Sequence, residues 1–123
     1  MSVSIYYTAK RSRPINAEEQ AQIDRLVDSF SIDDELEAYL RTGKGLNWES
    51  FTIYDPTSPS APGVIFEGAT KLPDNTADAT WIGLEHWLYL LAQLRRALPD
   101  ATWRVHVDDH DLAWDDAKGE YVV

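Results

Sequence analysis

Alternation opens the chain. In residues 2–8, SVSIYYT, Val3, Ile5 and Tyr7 fall on one side and Ser4, Tyr6 and Thr8 on the other. A period of two in β-branched and aromatic residues predicts a strand. The period then lengthens. In NAEEQAQIDRLVDSF, Ile23, Leu26, Val27 and Phe30 recur at helical spacing, with Asn16 as N-cap and Glu19 three residues on. That is a capping box ahead of an amphipathic helix over roughly 17–29. A short helix follows in SIDDELEAYLRTGKG, with Leu36, Tyr39 and Leu40 as its apolar face, Glu37 facing Arg41 one turn on, and Gly43 at its end.

Alternation returns in WESFTIYD, where Phe51 and Ile53 oppose Thr52 and Tyr54. The proline-rich PTSPSAPG is a loop between strands, because GVIFEGATKL is again β-like. After PDNTADAT, with Asp78 or Thr80 as cap, the strongest helical pattern runs from Trp81 to Leu98. Trp81, Leu84, Trp87, Leu88, Leu91, Leu94 and Leu98 form its stripe, Arg95 and Arg96 suit its last turn, and Pro99 stops it. Gly83 inside it leaves room for a close approach to the sheet, and His86 is expected to face solvent beside Tyr89 and Gln93. TWRVHVDD is the last main strand, and DLAWDDAKGEYVV a hairpin turning at 116–119, where Gly119 suits a positive φ.

The order β-α-(short α)-β-β-α-β plus a hairpin predicts an α+β fold, a ferredoxin-like split βαβ plait with its first and third strands central. One domain spans residues 1–123. The helix-covered face then holds Val3, Ile5, Tyr7, Phe51, Ile53, Val64, Phe66, Trp103, Val105 and Val107. The open face holds Ser4, Tyr6, Thr8, Thr52, Tyr54, Ile65, Glu67, Arg104, His106 and Asp108.

Charge narrows the partners. With 21 acids against 11 bases the formal charge is −10, which repels bare nucleic acid and anionic membrane and favours a basic partner. Lys10, Arg11 and Arg13 form the one dense basic cluster, read as a solvated loop or an anion contact. The absence of cysteine excludes disulfides and thiolate catalysis. The start lacks a secretory pattern and the apolar run WIGLEHWLYLLAQL is too short to span a bilayer, so a cytoplasmic location is expected.

Candidate chemistry is sparse. His106, Asp108 and His110 are spaced i, i+2, i+4, so a continued strand points all three one way, as in a two-His, one-carboxylate metal site. The alternative is a solvated acidic edge, with DHD as the turn that launches the C-terminal hairpin. RTGKGLNW lacks phosphate-loop spacing, no GxSxG elbow is present, and no cofactor is implied. Glu67 is the carboxylate to watch, on a central strand. Residues 100–120 gather seven acids, Asp100, Asp108, Asp109, Asp111, Asp115, Asp116 and Glu120, against Arg104 and Lys118, with Trp103 and Trp114 interleaved. Aromatics in an acidic rim suit a basic protein: charge steers and buried rings hold.

The segments IYYTAKRSRP, NWESFTIYDP, FEGATKLPD and VHVDDHDL resemble those of a group of small acidic bacterial proteins that brings no activity to transfer. In size and composition the chain is also similar to the immunity proteins of bacterial toxin systems, which implies a basic toxin as partner. Three readings result: a non-enzymatic acidic binding protein of immunity type, contacting through Trp103, Asp108, Asp109, Asp111, Trp114, Asp115 and Asp116; a small metal-dependent or ligand-binding enzyme using His106, Asp108 and His110; or a homodimeric regulatory or scaffold domain joined through the open face at Tyr6, Tyr54, Glu67, Arg104 and His106.

Overall fold

The computed structural model of the chain describes residues 3–55 and 58–123. Ser2 of the first expected strand, and Pro56 and Thr57 of the expected loop, lie outside them. The fold is α+β. Its elements are β1 (Ser4–Lys10), α1 (Ala17–Ser29), α2 (Asp33–Thr42), β2 (Val64–Lys71), α3 (Ala79–Ala97), β3 (Thr102–Val107), β4 (His110–Asp111), β5 (Ala113–Asp115) and β6 (Glu120–Val122). Four strands form an antiparallel sheet in the order β2-β1-β3-β4, and β5 pairs with β6 in a separate hairpin.

Register follows from apolar alternation. Ile5, Tyr7 and Ala9 are fully buried and stand opposite Thr70, Gly68 and Phe66 on one side and Val107, Val105 and Trp103 on the other. Ile23 of α1 and Leu84, Trp87, Leu88, Leu91 and Leu94 of α3 complete this core. Asn16 and Glu19 form the expected capping box, Asn16 Oδ1 accepting from the Glu19 N–H at 2.8 Å. The hairpin turns with Gly119 at φ 66° and seats Tyr121 in the core. Among the described residues no helix is long and apolar enough to cross a membrane.

Several expectations are corrected. Residues 48–55 do not form the expected second strand. They run along the outer edge of β2, where Tyr54 N–H donates to the Glu67 carbonyl at 2.8 Å. Tyr7 Oη reaches across to donate to the Thr52 carbonyl at 2.6 Å, and Phe51 stacks on the Tyr7 ring at 4.5 Å. Side-chain anchoring replaces the ladder, and Ile53, expected inside, is exposed. On α2, Leu40 is exposed and no residue is fully buried. On α3, the apolar positions exceed what one face can bury. Leu90 is buried outside the expected stripe and Trp81, expected inside, is exposed. Asp78 takes the N-cap position without a side-chain cap bond, while Thr80 Oγ1 donates to the Pro73 carbonyl at 2.8 Å. Gly83 meets Pro73, not the sheet: an added Cβ would lie 2.4 Å from its Cδ.

Candidate functional site

The two histidines of VHVDDHD diverge. β3 and β4 form a tight hairpin in which His106 faces Asp111 and Val107 faces His110. Directly opposed residues share a sheet face, so His106 looks to the open face and His110 to the side of Val107. The cause is Asp108. Its φ of 48° breaks the extended run, and Asp108 and Asp109 become the turn. A strand continuing through residue 110 was the premise of the His106, Asp108 and His110 site. That premise fails, and no group of three such side chains among the described residues is placed to hold a metal ion. His106 has other partners. It stacks on Tyr6 at 4.9 Å and 11°, and its Nδ1 donates to the Asp108 carbonyl at 2.6 Å.

Asp108 is a non-glycine residue in left-handed backbone, at a turn position that favours glycine. Asp108→Gly is therefore expected to keep or raise the melting temperature, by up to about 4 °C. Asp108→Val is expected to lower it by a similar amount. Thermal unfolding of both variants followed by circular dichroism decides it: a valine variant as stable as wild type removes the turn argument.

The rest of the open face is a polar lattice. Arg104 Nε donates to Asp111 Oδ1 at 2.9 Å in an exposed ion pair. Glu67, expected on a central strand, lies on β2 at the edge of the sheet, where it faces Thr8 across the ladder and accepts from the Ser60 N–H at 3.1 Å and Oγ–H at 3.0 Å. Glu67 thus holds the loop before β2 in place. Tyr54 lies at the outer edge of β2, along the 48–55 run.

The expected acidic surface loses its two rings. Trp103 is 8% exposed, packed 5.5 Å from Phe66 with its Nε1–H on the Leu98 carbonyl at 3.3 Å. It belongs to the covered face and packs into the core. Trp114 is half-buried beneath Arg95, whose guanidinium carbon lies 4.4 Å from the ring centroid, and its Nε1–H donates to Asp116 at 2.7 Å. Asp108, Asp109, Asp111 and Asp116 are exposed and Asp115 half-buried. Asp108 and Asp109 occupy the turn between β3 and β4, Asp115 ends β5 and Asp116 starts the turn to β6, and Asp111 pairs with Arg104.

The basic cluster is not a solvated loop at Arg11, whose side chain is 4% exposed. Its guanidinium donates to both oxygens of Glu19 at 2.9 and 2.5 Å, to Asp100 at 2.9 Å, and to the carbonyls of Arg13 and Pro14 at 2.7 and 2.9 Å. Arg13 also pairs with Asp100. The anions that Arg11 contacts are thus the chain's own. Arg11 draws the Glu19 carboxyl down to about 2, chiefly through its hydrogen bonds, and holds Asp100 below the usual carboxylate range.

Two features escaped sequence reasoning. His86 is half-buried: its Nε2 donates to the Phe30 carbonyl at 2.7 Å, and its ring meets Phe30, Trp48 and Trp87 edge-on. The aromatic residues Phe30 and Trp48 were the available signal, but their proximity is tertiary. The second is the outer stripe of α3. Trp81, Glu85 and Tyr89 are spaced four apart and so lie on one face. Trp81 is 51% and Tyr89 60% exposed, with Ile82 exposed beside them. Beside this stripe a cleft of about 160 Å³ opens between α3 and β6, lined by Glu85, Leu88, Tyr89, Glu120, Tyr121 and Val123.

A larger cleft of about 380 Å³ opens over Thr8, Lys10, Ser60, Thr102 and Arg104. A smaller one of about 180 Å³ is lined by Asp28, Ser31, Asp33, Ser50, Phe51 and Trp87. Comparisons with protein-family models, with curated proteins and with solved structures find no match to this chain.

Proposed function

We propose that this chain is a non-enzymatic acidic binding domain that docks on a basic protein and occludes it, as an immunity-type inhibitor does. The observation that carries the reading is the exposed Trp81 and Tyr89 on one stripe of α3. Tryptophan and tyrosine are the residues that most often anchor interfaces, and here both rings stand at least half exposed on one face of a long helix. The exposed Asp108, Asp109, Asp111 and Asp116 and the net charge of −10 then speed the approach of a cationic partner. A finer fold assignment accompanies the reading. The chain is a split βαβ plait whose second strand, around residues 48–55, has lost its ladder. The Tyr54 to Glu67 backbone bond supports that assignment.

Co-expression with the products of flanking genes, followed by surface-based kinetics, tests the function. A basic neighbour is expected to bind. Trp81→Ala and Tyr89→Ala are each expected to weaken it by about 2 kcal/mol, near thirtyfold, through faster dissociation. Reversing Asp108, Asp109 and Asp111 to Lys is expected to slow association and flatten its salt dependence. A partner whose affinity ignores both ring substitutions would remove this surface.

A further inference from the structure

The cleft beside the α3 stripe has a chemistry of its own. Its floor and walls are Leu88, Tyr89, Tyr121 and Val123, and its carboxylates are Glu85 and Glu120. Among the described residues neither carboxylate is in an ion pair. Two acids outside any ion pair give this aromatic cleft a negative character, while the nearby Arg95 and Arg96 are turned to the Tyr121 hydroxyl and the Gly119 carbonyl. At about 160 Å³ the space falls short of the roughly 300–1,000 Å³ of typical small-molecule pockets. It suits a single long side chain.

We infer that this cleft receives an arginine side chain of the protein partner. The inference rests on the reading that Trp81 and Tyr89 form a docking surface. An arginine stem is apolar enough to lie along Leu88 and Val123, and its planar head both stacks on a tyrosine ring and bonds a carboxylate through two parallel N–H groups. The molecule already makes this kind of contact internally. Arg95, which does not line the cleft, sets its guanidinium carbon 4.4 Å from the Trp114 ring and 5.8 Å from the Tyr121 ring. Lysine would satisfy the charge but not the stacking or the paired bonds, so arginine is the better fit. The exposed Trp81, lying two turns from Tyr89 along the helix, then supplies a second anchor for the same partner.

The test uses the full chain and N-acetyl-arginine-N-methylamide as probe, followed by amide and ring resonances. Saturable shifts are expected at Tyr89, Glu120, Tyr121 and Val123, with a dissociation constant of about 1–10 mM, as fits so small a ligand. The citrulline analogue, equal in shape but uncharged, is expected to produce none, and the lysine analogue to bind several-fold more weakly. Glu85→Gln and Glu120→Gln are each expected to weaken the arginine probe several-fold with the melting temperature unchanged. Shifts elsewhere only, equal response to citrulline, or a Glu85→Gln, Glu120→Gln double variant that titrates like wild type would each overturn the assignment. The two proposals fail separately. A partner that depends on Trp81 but ignores both Gln substitutions keeps the docking surface and loses the arginine cleft. A partner indifferent to Trp81 and Tyr89 removes the docking surface, and with it the partner arginine, whatever the amide does.

Discussion

Replacing Gly68 by Ala is expected to cost about 3 kcal/mol and lower the melting temperature by about 10 °C, although a methyl group is all it adds. Gly68 stands opposite Tyr7 in the ladder, and the Tyr7 ring lies across it. An added Cβ would sit 2.6 Å from Tyr7 Cε2 and 2.0 Å from the Thr52 carbonyl oxygen. The second neighbour is backbone, so no rotamer change relieves it. The 48–55 segment must retreat from β2. Tyr7 then loses its 2.6 Å bond to Thr52, Tyr54 its bond to Glu67, and Phe51 its stack on Tyr7. The sign is diagnostic. In an open strand Gly→Ala stabilises by about 0.4–1 kcal/mol by restricting the unfolded chain. Urea unfolding measures the difference, and a variant as stable as wild type would mean that residues 48–55 do not pack on Gly68.

Arg11→Ala is expected to lower the melting temperature by about 10 °C near neutral pH, because it strands the groups that five donor contacts now satisfy. Arg11→Lys is expected to recover little of this, since an ammonium cannot serve both Glu19 oxygens, Asp100 and two carbonyls at once. The effect depends on pH in a definite direction. Glu19 is drawn to about 2 and Asp100 is lowered, in both cases first by Arg11. A carboxyl lowered on folding stabilises the fold above its unfolded value, about 4.3 for Glu and 3.9 for Asp. That stability is lost as pH falls through the folded value. The wild type should therefore lose stability between about pH 4.5 and pH 2, and Arg11→Ala should lose less over the same window. Urea midpoints measured from pH 2.5 to pH 6 check this. Parallel curves for the two proteins would show that Arg11 does not hold these carboxyls.

Local patterns were legible where one element's own residues decide the outcome. The capping box at Asn16 and Glu19 involves four consecutive residues and is present as read. The alternation of Ile5 and Tyr7, of Val64 and Phe66, and of Trp103 and Val105 marks the buried sheet face correctly. The hairpin turn at Gly119 was also visible. The second strand failed because alternation shows that a segment can be extended, not that an edge will accept its hydrogen bonds. Here Gly68 and Tyr7 draw the segment in through side-chain contacts instead. The histidine cluster failed at one residue. Spacing of two implies a shared face only in unbroken β backbone, and the φ of 48° at Asp108 reverses the chain after His106.

The sequence by itself determined the α+β class, the covered sheet face and the acidic character, because periodicity, capping and charge are properties of neighbouring residues. Tertiary structure alone decided which rings of α3 and the C-terminal hairpin meet solvent. Trp81, which the helical stripe placed inside, is exposed, and Trp114, expected in an exposed acidic rim, lies under Arg95. α3 carries more apolar residues than its stripe can bury, and only packing against α1 and β6 selects which face goes inward. The same selection turned Arg11, apparently a loop cation, into the tie between Glu19 and Asp100, since partners 8 and 89 residues away meet only in the folded chain.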